Sequence, residues 1–187
     1  MIQQPDASPI DPHTVSTHSE STHAATIDSI QPQRFKRVRA RATRNGSMRT
    51  ESMRTGVRIR DFTYAVDEPT ATGGTNTAPT PMEYLAGAVN SCITVVIETI
   101  ANELDIGLQH VHTETVAHMD PRGFNGVADV SPHFHDYTLH VWVASDASDD
   151  QRRVLAEQTE RRCPAFNLLC DTGLPVELQW QFTATPA

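Results

Sequence analysis

The sequence predicts an α+β domain: an antiparallel sheet with its helices on one side and a long apolar helix at its centre. Three observations predict it. Residues 34–66 and 108–145 carry runs of alternating apolar and polar residues, the period of a half-buried strand. Between them, from about Pro81 to Glu103, Val89, Cys92, Ile93, Val96, Ile97 and Ile100 recur at i, i+3, i+4, the period of a helix. The resulting order, β-β-β-α-β-β-α-β with hairpin links, belongs to the α+β class.

Residues 1–33 are rich in Ser, Thr, His, Asp and Pro, with isolated apolar residues and no period. Such a composition buries too little surface to offset chain entropy, so a disordered tail is expected ahead of one domain over 34–187. An apolar share of only 38% for the whole chain agrees with an unfolded part. His13, His18 and His23 belong to the tail's composition. With no Lys or Arg and no apolar segment, 1–33 does not read as a secretory signal.

From residue 34 the pattern is of strands. "RFKRVRARATRNGSMRTE" contains Asn45-Gly46, a strong hairpin signal, between two alternating runs. In "GVRIRDFTYAV", Val57 and Ile59 share one face and Phe62, Tyr64 and Val66 the next phase; the one-residue slip near Asp61 predicts a bulge. "DEPTATGGTNTAPTP" is a loop by its breakers, with Gly73-Gly74 in its middle. Pro81 suits the first helical turn, where its missing donor would have had no partner. The helix is apolar on nearly every side, which places it centrally or at an oligomer interface. Two strands follow, "LQHVHTETVAHMD" and "FHDYTLHVWVAS", joined by "PRGFNGVADVSPH". Ser148 with Gln151 is a capping-box signature opening a polar helix from Asp149 to about Arg162. Cys163-Pro164 comes next, then "AFNLLCDTG" and a last strand, "LPVELQWQF".

Charge and cysteine usage narrow the function classes. Residues 34–61 hold ten of the fifteen basic residues, whereas 62–187 hold five basic and seventeen acidic ones. In "RFKRVRARATR" the basic residues alternate with small or apolar ones and lack aromatic stacking partners. The strip therefore reads as the wet face of a strand and not as a nucleic-acid site. No run of about eighteen apolar residues occurs, so no membrane span is expected. Three widely spaced cysteines predict reduced thiols in a cytoplasm, not a secreted disulfide framework. His110 with His112, and His133 with His135, stand at i, i+2, but no carboxylate or thiol at ligand spacing accompanies them, so no metal site is expected.

Two thiols occupy comparable places. Cys92 follows Asn90 and Ser91 in the apolar helix, and Cys163 ends the polar helix directly before Pro164. Nothing in the spacing pairs them. Taken alone, each is a small hydrophobe or a reagent. Cys170 is a loop thiol without a partner signal and reads as structural.

"VDEPTATGGTNTAPTPMEYLAGAVNSC", "MDPRGFNGVADVSPHFHDYTLHVWVASD" and "RRCPAFNLL" together resemble the OsmC/Ohr family of peroxiredoxin-like, thiol-dependent hydroperoxide reductases, on the side of its OsmC-like branch. The resemblance covers roughly 34–185. It implies an OsmC-like fold in an intertwined homodimer, no cofactor and no metal. It also implies reduction of organic hydroperoxides, and of hydrogen peroxide less well, in oxidative-stress defence. Cys92 is then the peroxide-attacking thiolate, Cys163 the thiol that closes a disulfide with it, and an external dithiol, such as a lipoylated protein, the reductant. In the family a guanidinium held by a carboxylate supports the thiolate. Arg54 is the preferred cation, with Arg49 its rival because "SMRTESMRTG" repeats one unit. The usual Glu directly after the Pro is replaced by Met82, and Glu83 follows. Glu83 is therefore either that carboxylate or a cap of the helix start. The alternative the resemblance leaves open is a non-catalytic OsmC-like stress protein that binds a small hydrophobic ligand.

Overall fold

In the computed structural model, residues 38–44 and 53–184 are described. The expected tail and the Asn45-Gly46 turn lie outside them. A first antiparallel sheet has the order β1-β2-β3, with β1 Arg41–Thr43, β2 Thr55–Ile59 and β3 Phe62–Val66. The bulge expected near Asp61 is instead a tight turn: Ile59 pairs with Phe62, and Arg60 takes φ 56°. A two-residue link shifts the sequence phase by one while keeping the spatial face. Val57 therefore opposes Tyr64 and Ile59 opposes Phe62 on one apolar surface. That surface is half-buried at Val57 and Ile59 and open at Phe62, which is 65% exposed.

The chain then passes through a loop knotted on Asp67. This carboxylate is buried and accepts from the backbone of Glu68 (2.9 Å), Thr75 (3.2 Å) and Thr77 (3.1 Å), and from the Thr75 (2.6 Å) and Thr77 (2.9 Å) hydroxyls. Five donors favour the ionised form, and the Thr75 hydroxyl leads in holding its pKa far below the ordinary 3.8. Gly73 sits at φ 93°, and a Cβ on Gly74 would fall 1.8 Å from the Glu68 carbonyl oxygen, so the doubled glycine is a steric requirement.

Helix α1 spans Pro81–Glu103. Thr80 caps it: the Thr80 hydroxyl accepts from Glu83 N at 3.2 Å, and the Glu83 carboxylate accepts from Thr80 N at 2.6 Å. By length and composition α1 is apolar enough to cross a membrane, contrary to the expectation from apolar runs. Asn90, Ser91, Thr94 and Thr99 interrupt its apolar stretches. It packs here as the core helix, with Val89, Ile93, Ile97, Ile100 and Ala101 buried.

The second sheet contains β4 Leu108–Met119, β5 Phe134–Ser145 and β6 Val176–Thr183, in that order. A short α2, Pro121–Phe124, lies between β4 and β5; α3, Asp149–Arg162, and α4, Pro164–Cys170, lead to β6. β4 and β5 are antiparallel, but β5 and β6 are parallel, so the expected all-antiparallel sheet is mixed. Two helices between β5 and β6 form the crossover that a parallel pair needs. Along β5, Tyr137, Leu139, Val141 and Val143 are fully buried, and α1 packs against β4, α3 and α4. Each such side chain contributes about 1.5–3 kcal/mol by leaving water. The opposite sheet face, with His112, His140 and Trp142, is the wetter one.

Candidate active site

The core brings the two singled-out thiols together. Cys92 lies half-buried on α1, and its Sγ is 3.8 Å from that of Cys163, which is completely buried. Both are free. Cys163 is the residue where α3 ends and α4 begins; its φ −74°, ψ 111° is extended, as a residue before proline prefers. Pro164 supplies no N–H to continue α3, so the chain turns there. The turn points the Cys163 sulfur back at α1.

Two contacts hold this corner. Arg162 forks onto Glu103 at the end of α1, with Nη2 donating to Oε1 at 2.8 Å. The Asn167 amide reaches back from α4 and donates to the carbonyls of Glu160 (2.7 Å) and Cys163 (2.8 Å). Burial pushes the Cys163 thiol up, against the opposing pull of the Phe166 and Ala165 N–H groups, and the neighbouring Cys92 pushes it further up. Cys163 is therefore held as a thiol. Cys92 is the more accessible of the two sulfurs.

The remaining expected residues lie elsewhere. Glu83 occupies the α1 cap, the second of its two openings in the sequence, nine residues ahead of Cys92. Arg54 is exposed just before β2, and Arg49 lies outside the described residues. Cys170, expected in a loop, is instead the last residue of α4, and it is exposed. Among the described residues no group of three or more His, Cys, Asp or Glu is arranged to hold a metal ion.

A groove of about 1020 Å³ runs beside the start of α1. Ile59, Tyr64, Pro79, Tyr84, Ala88 and Ser91 give it a largely apolar wall, and Glu83 stands at its edge. Tyr64 and Tyr84 meet across it with ring centroids 4.7 Å apart. Sequence reading missed Asp67, Asn167 and the Arg162–Glu103 pair. Of these only Arg162, in "RRCP", stood beside a residue already under suspicion.

An α+β domain with two unlinked thiols in van der Waals contact, one on its core helix and one at the α3–α4 corner, is, by class, a dithiol protein. A family model described as OsmC-like protein matches residues 74–179, and the chain belongs to that family. No curated protein matches the sequence. Among solved structures, an OsmC-like protein from Mycoplasma pneumoniae superposes with a TM-score of 0.65 at 16% identity, covering 81% of this chain and 99% of that one. An OsmC-like protein of unknown function from Vibrio cholerae gives 0.62 at 11% identity, covering 80% and 100%. An organic hydroperoxide resistance protein OsmC from Legionella pneumophila gives 0.54 at 16% identity, covering 81% and 99%. These likenesses are of fold.

Proposed function

We propose that this protein is a thiol-dependent peroxidase that reduces organic hydroperoxides, and hydrogen peroxide less well, in oxidative-stress defence. The observation that carries the reading is the 3.8 Å separation of Cys92 and Cys163, one reachable and the other buried as a thiol. The Cys92 thiolate attacks the hydroperoxide O–O bond. That bond breaks, the departing alkoxide takes a proton to leave as an alcohol, and sulfur keeps one oxygen as a sulfenic acid. The Cys163 thiol then displaces that oxygen as water, forming the Cys92–Cys163 disulfide. An external dithiol in the cytoplasm, such as a lipoylated protein, takes the pair back to two thiols and is itself oxidised.

Arg54 is the cation proposed to support the Cys92 thiolate, with Arg49 as its rival and Glu83 as the carboxylate that orients it. The cap bond uses one Glu83 oxygen, Oε2, and leaves the other for that role. The working unit is proposed to be a homodimer. In its support, Phe62 on the first sheet and Val95 on α1 are 65% and 61% exposed in the protomer, surfaces a second copy would cover. Turnover of cumene hydroperoxide with dithiothreitol, followed by loss of the peroxide, tests the reading. Wild type turns over, and Cys92→Ser does not; a wild type with no activity would sink it.

One observation favours a second reading, a non-catalytic stress protein binding a small hydrophobic ligand: the groove has an apolar wall, and Cys92 is not among the residues lining it. Retention of an apolar fluorophore, unchanged by Cys92→Ser, in a protein without peroxidase activity would select it.

A further inference from the structure

The Asn167 side chain does something its position in a helix does not require. Asparagine is a poor helix former, and a seven-residue helix such as α4 gains nothing from one in its interior. Its amide Nδ2 nevertheless gathers the carbonyl oxygens of Glu160 at 2.7 Å and Cys163 at 2.8 Å, with that of Arg161 at 3.5 Å. The Glu160 and Arg161 carbonyls belong to the last turn of α3, where a helix has no internal donors left, and the Cys163 carbonyl opens α4. Pro164 removes the next N–H as well. The Asn167 backbone N–H makes the first ordinary i→i−4 bond of α4, to the same Cys163 carbonyl at 3.1 Å, so what the side chain adds is the tie across the junction to Glu160. One residue on α4 thereby ties the chain on both sides of the Cys163 sulfur.

The sulfurs stand at 3.8 Å, and a disulfide needs them at about 2.05 Å, so the remaining approach is under 2 Å. A corner free to splay would lose that proximity at once, since Cys163 lies between two helices with separate axes. We infer that Asn167 is the positioning residue for Cys163: its amide clamps the α3–α4 corner so that Cys163 Sγ faces Cys92. The inference rests on the proposed redox reading. It adds a consequence for the fate of oxidised Cys92. With the corner clamped, the Cys92 sulfenic acid and the Cys163 thiol condense to a disulfide and release water. With the corner loose, a second hydroperoxide oxidises the sulfenic acid to sulfinic acid, releasing another alcohol, and a dithiol does not reverse that step.

The test uses the full chain as wild type, Asn167→Asp, Asn167→Ala and Asn167→Gln. Asp keeps the shape but loses the donor, and Gln keeps the donor on a longer stem. The first readout involves no peroxide: the disulfide fraction at equilibrium with mixtures of oxidised and reduced dithiothreitol, measured by thiol alkylation and mass spectrometry. Loss of the amide bonds lowers that equilibrium constant by roughly tenfold in Asp and Ala, with Gln between them and wild type. The second readout is the ratio of sulfinic acid to disulfide at Cys92 after limiting cumene hydroperoxide, which rises in the same order. If Ala does not fold, the comparison of Asp with Gln decides. Equal equilibrium constants in folded Asp, Gln and wild type would overturn the inference and leave the peroxidase reading standing. A tenfold fall without any peroxide turnover in wild type would support the clamp and remove the peroxidase.

Discussion

Cys92 and Cys163 are 71 residues apart in the chain and 3.8 Å apart at their sulfurs. Three local features produce that contact. The apolar stripe of α1 buries one side of the helix against β4 and the later helices and leaves Cys92 at the stripe's margin, half-buried. The Cys-Pro junction ends α3 with the other sulfur turned inward. The Arg162–Glu103 fork ties the far end of α3 to the end of α1. A pair held this way is close and unequal in exposure, the geometry that the proposed two-thiol cycle needs.

Asp67 predicts an acid-labile loop. Its folded pKa lies below the ordinary 3.8, so its contribution to stability is present above that value and disappears as pH falls toward the folded pKa. Melting temperature followed from pH 7 to pH 3 therefore drops in wild type below about pH 4. Asp67→Asn melts lower at pH 7, because an amide NH₂ now faces backbone donors, and its curve is flatter through the acid range. Parallel curves for the two proteins would contradict this.

Thr159 predicts a stabilising substitution. Its side chain is completely buried in α3, and its hydroxyl has no hydrogen-bond partner among the described residues. Thr159→Val keeps the shape and removes the unsatisfied group, so unfolding free energy rises by about 1 kcal/mol in denaturant titration. A loss of stability would mean that the hydroxyl has a partner after all.

The uncovered apolar faces predict the assembly. Phe62→Glu, on the first sheet, and Val95→Glu, on α1, place charge on surfaces proposed to be shared by two copies. Sedimentation should show wild type at twice the chain mass and these variants shifted toward a single chain. A wild-type monomer, or variants indistinguishable from it, would count against the homodimer.

Much of the fold was legible because local signals agree with global packing. The bounds of α1 follow from Thr80-Pro81 at one end and the last buried turn at the other, and those of α3 from the Ser148–Gln151 box and Pro164. Strict alternation from Tyr137 to Val143 marked the buried face of β5. The parallel pairing of β6 was not legible, since alternation tells which face is buried but not which way a neighbour runs. The turn at Arg60-Asp61 read as a bulge because both shift the apolar phase by one. At the site, the two thiols were visible as chemistry but not as a pair, because their contact is made by packing. Asn167 was invisible for a related reason: its partners are backbone carbonyls, which carry no residue-type signature; Asp67 was missed because the Thr75 and Thr77 hydroxyls it gathers lie in a loop with no period to point at them.

The most direct measurement treats the reduced protein with a single equivalent of cumene hydroperoxide and maps its thiols by mass spectrometry. The account predicts an intramolecular Cys92–Cys163 disulfide in wild type, and in Cys163→Ser a Cys92 stopped at sulfenic or sulfinic acid. Cys92 and Cys163 both recovered as unmodified thiols after excess hydroperoxide would contradict it.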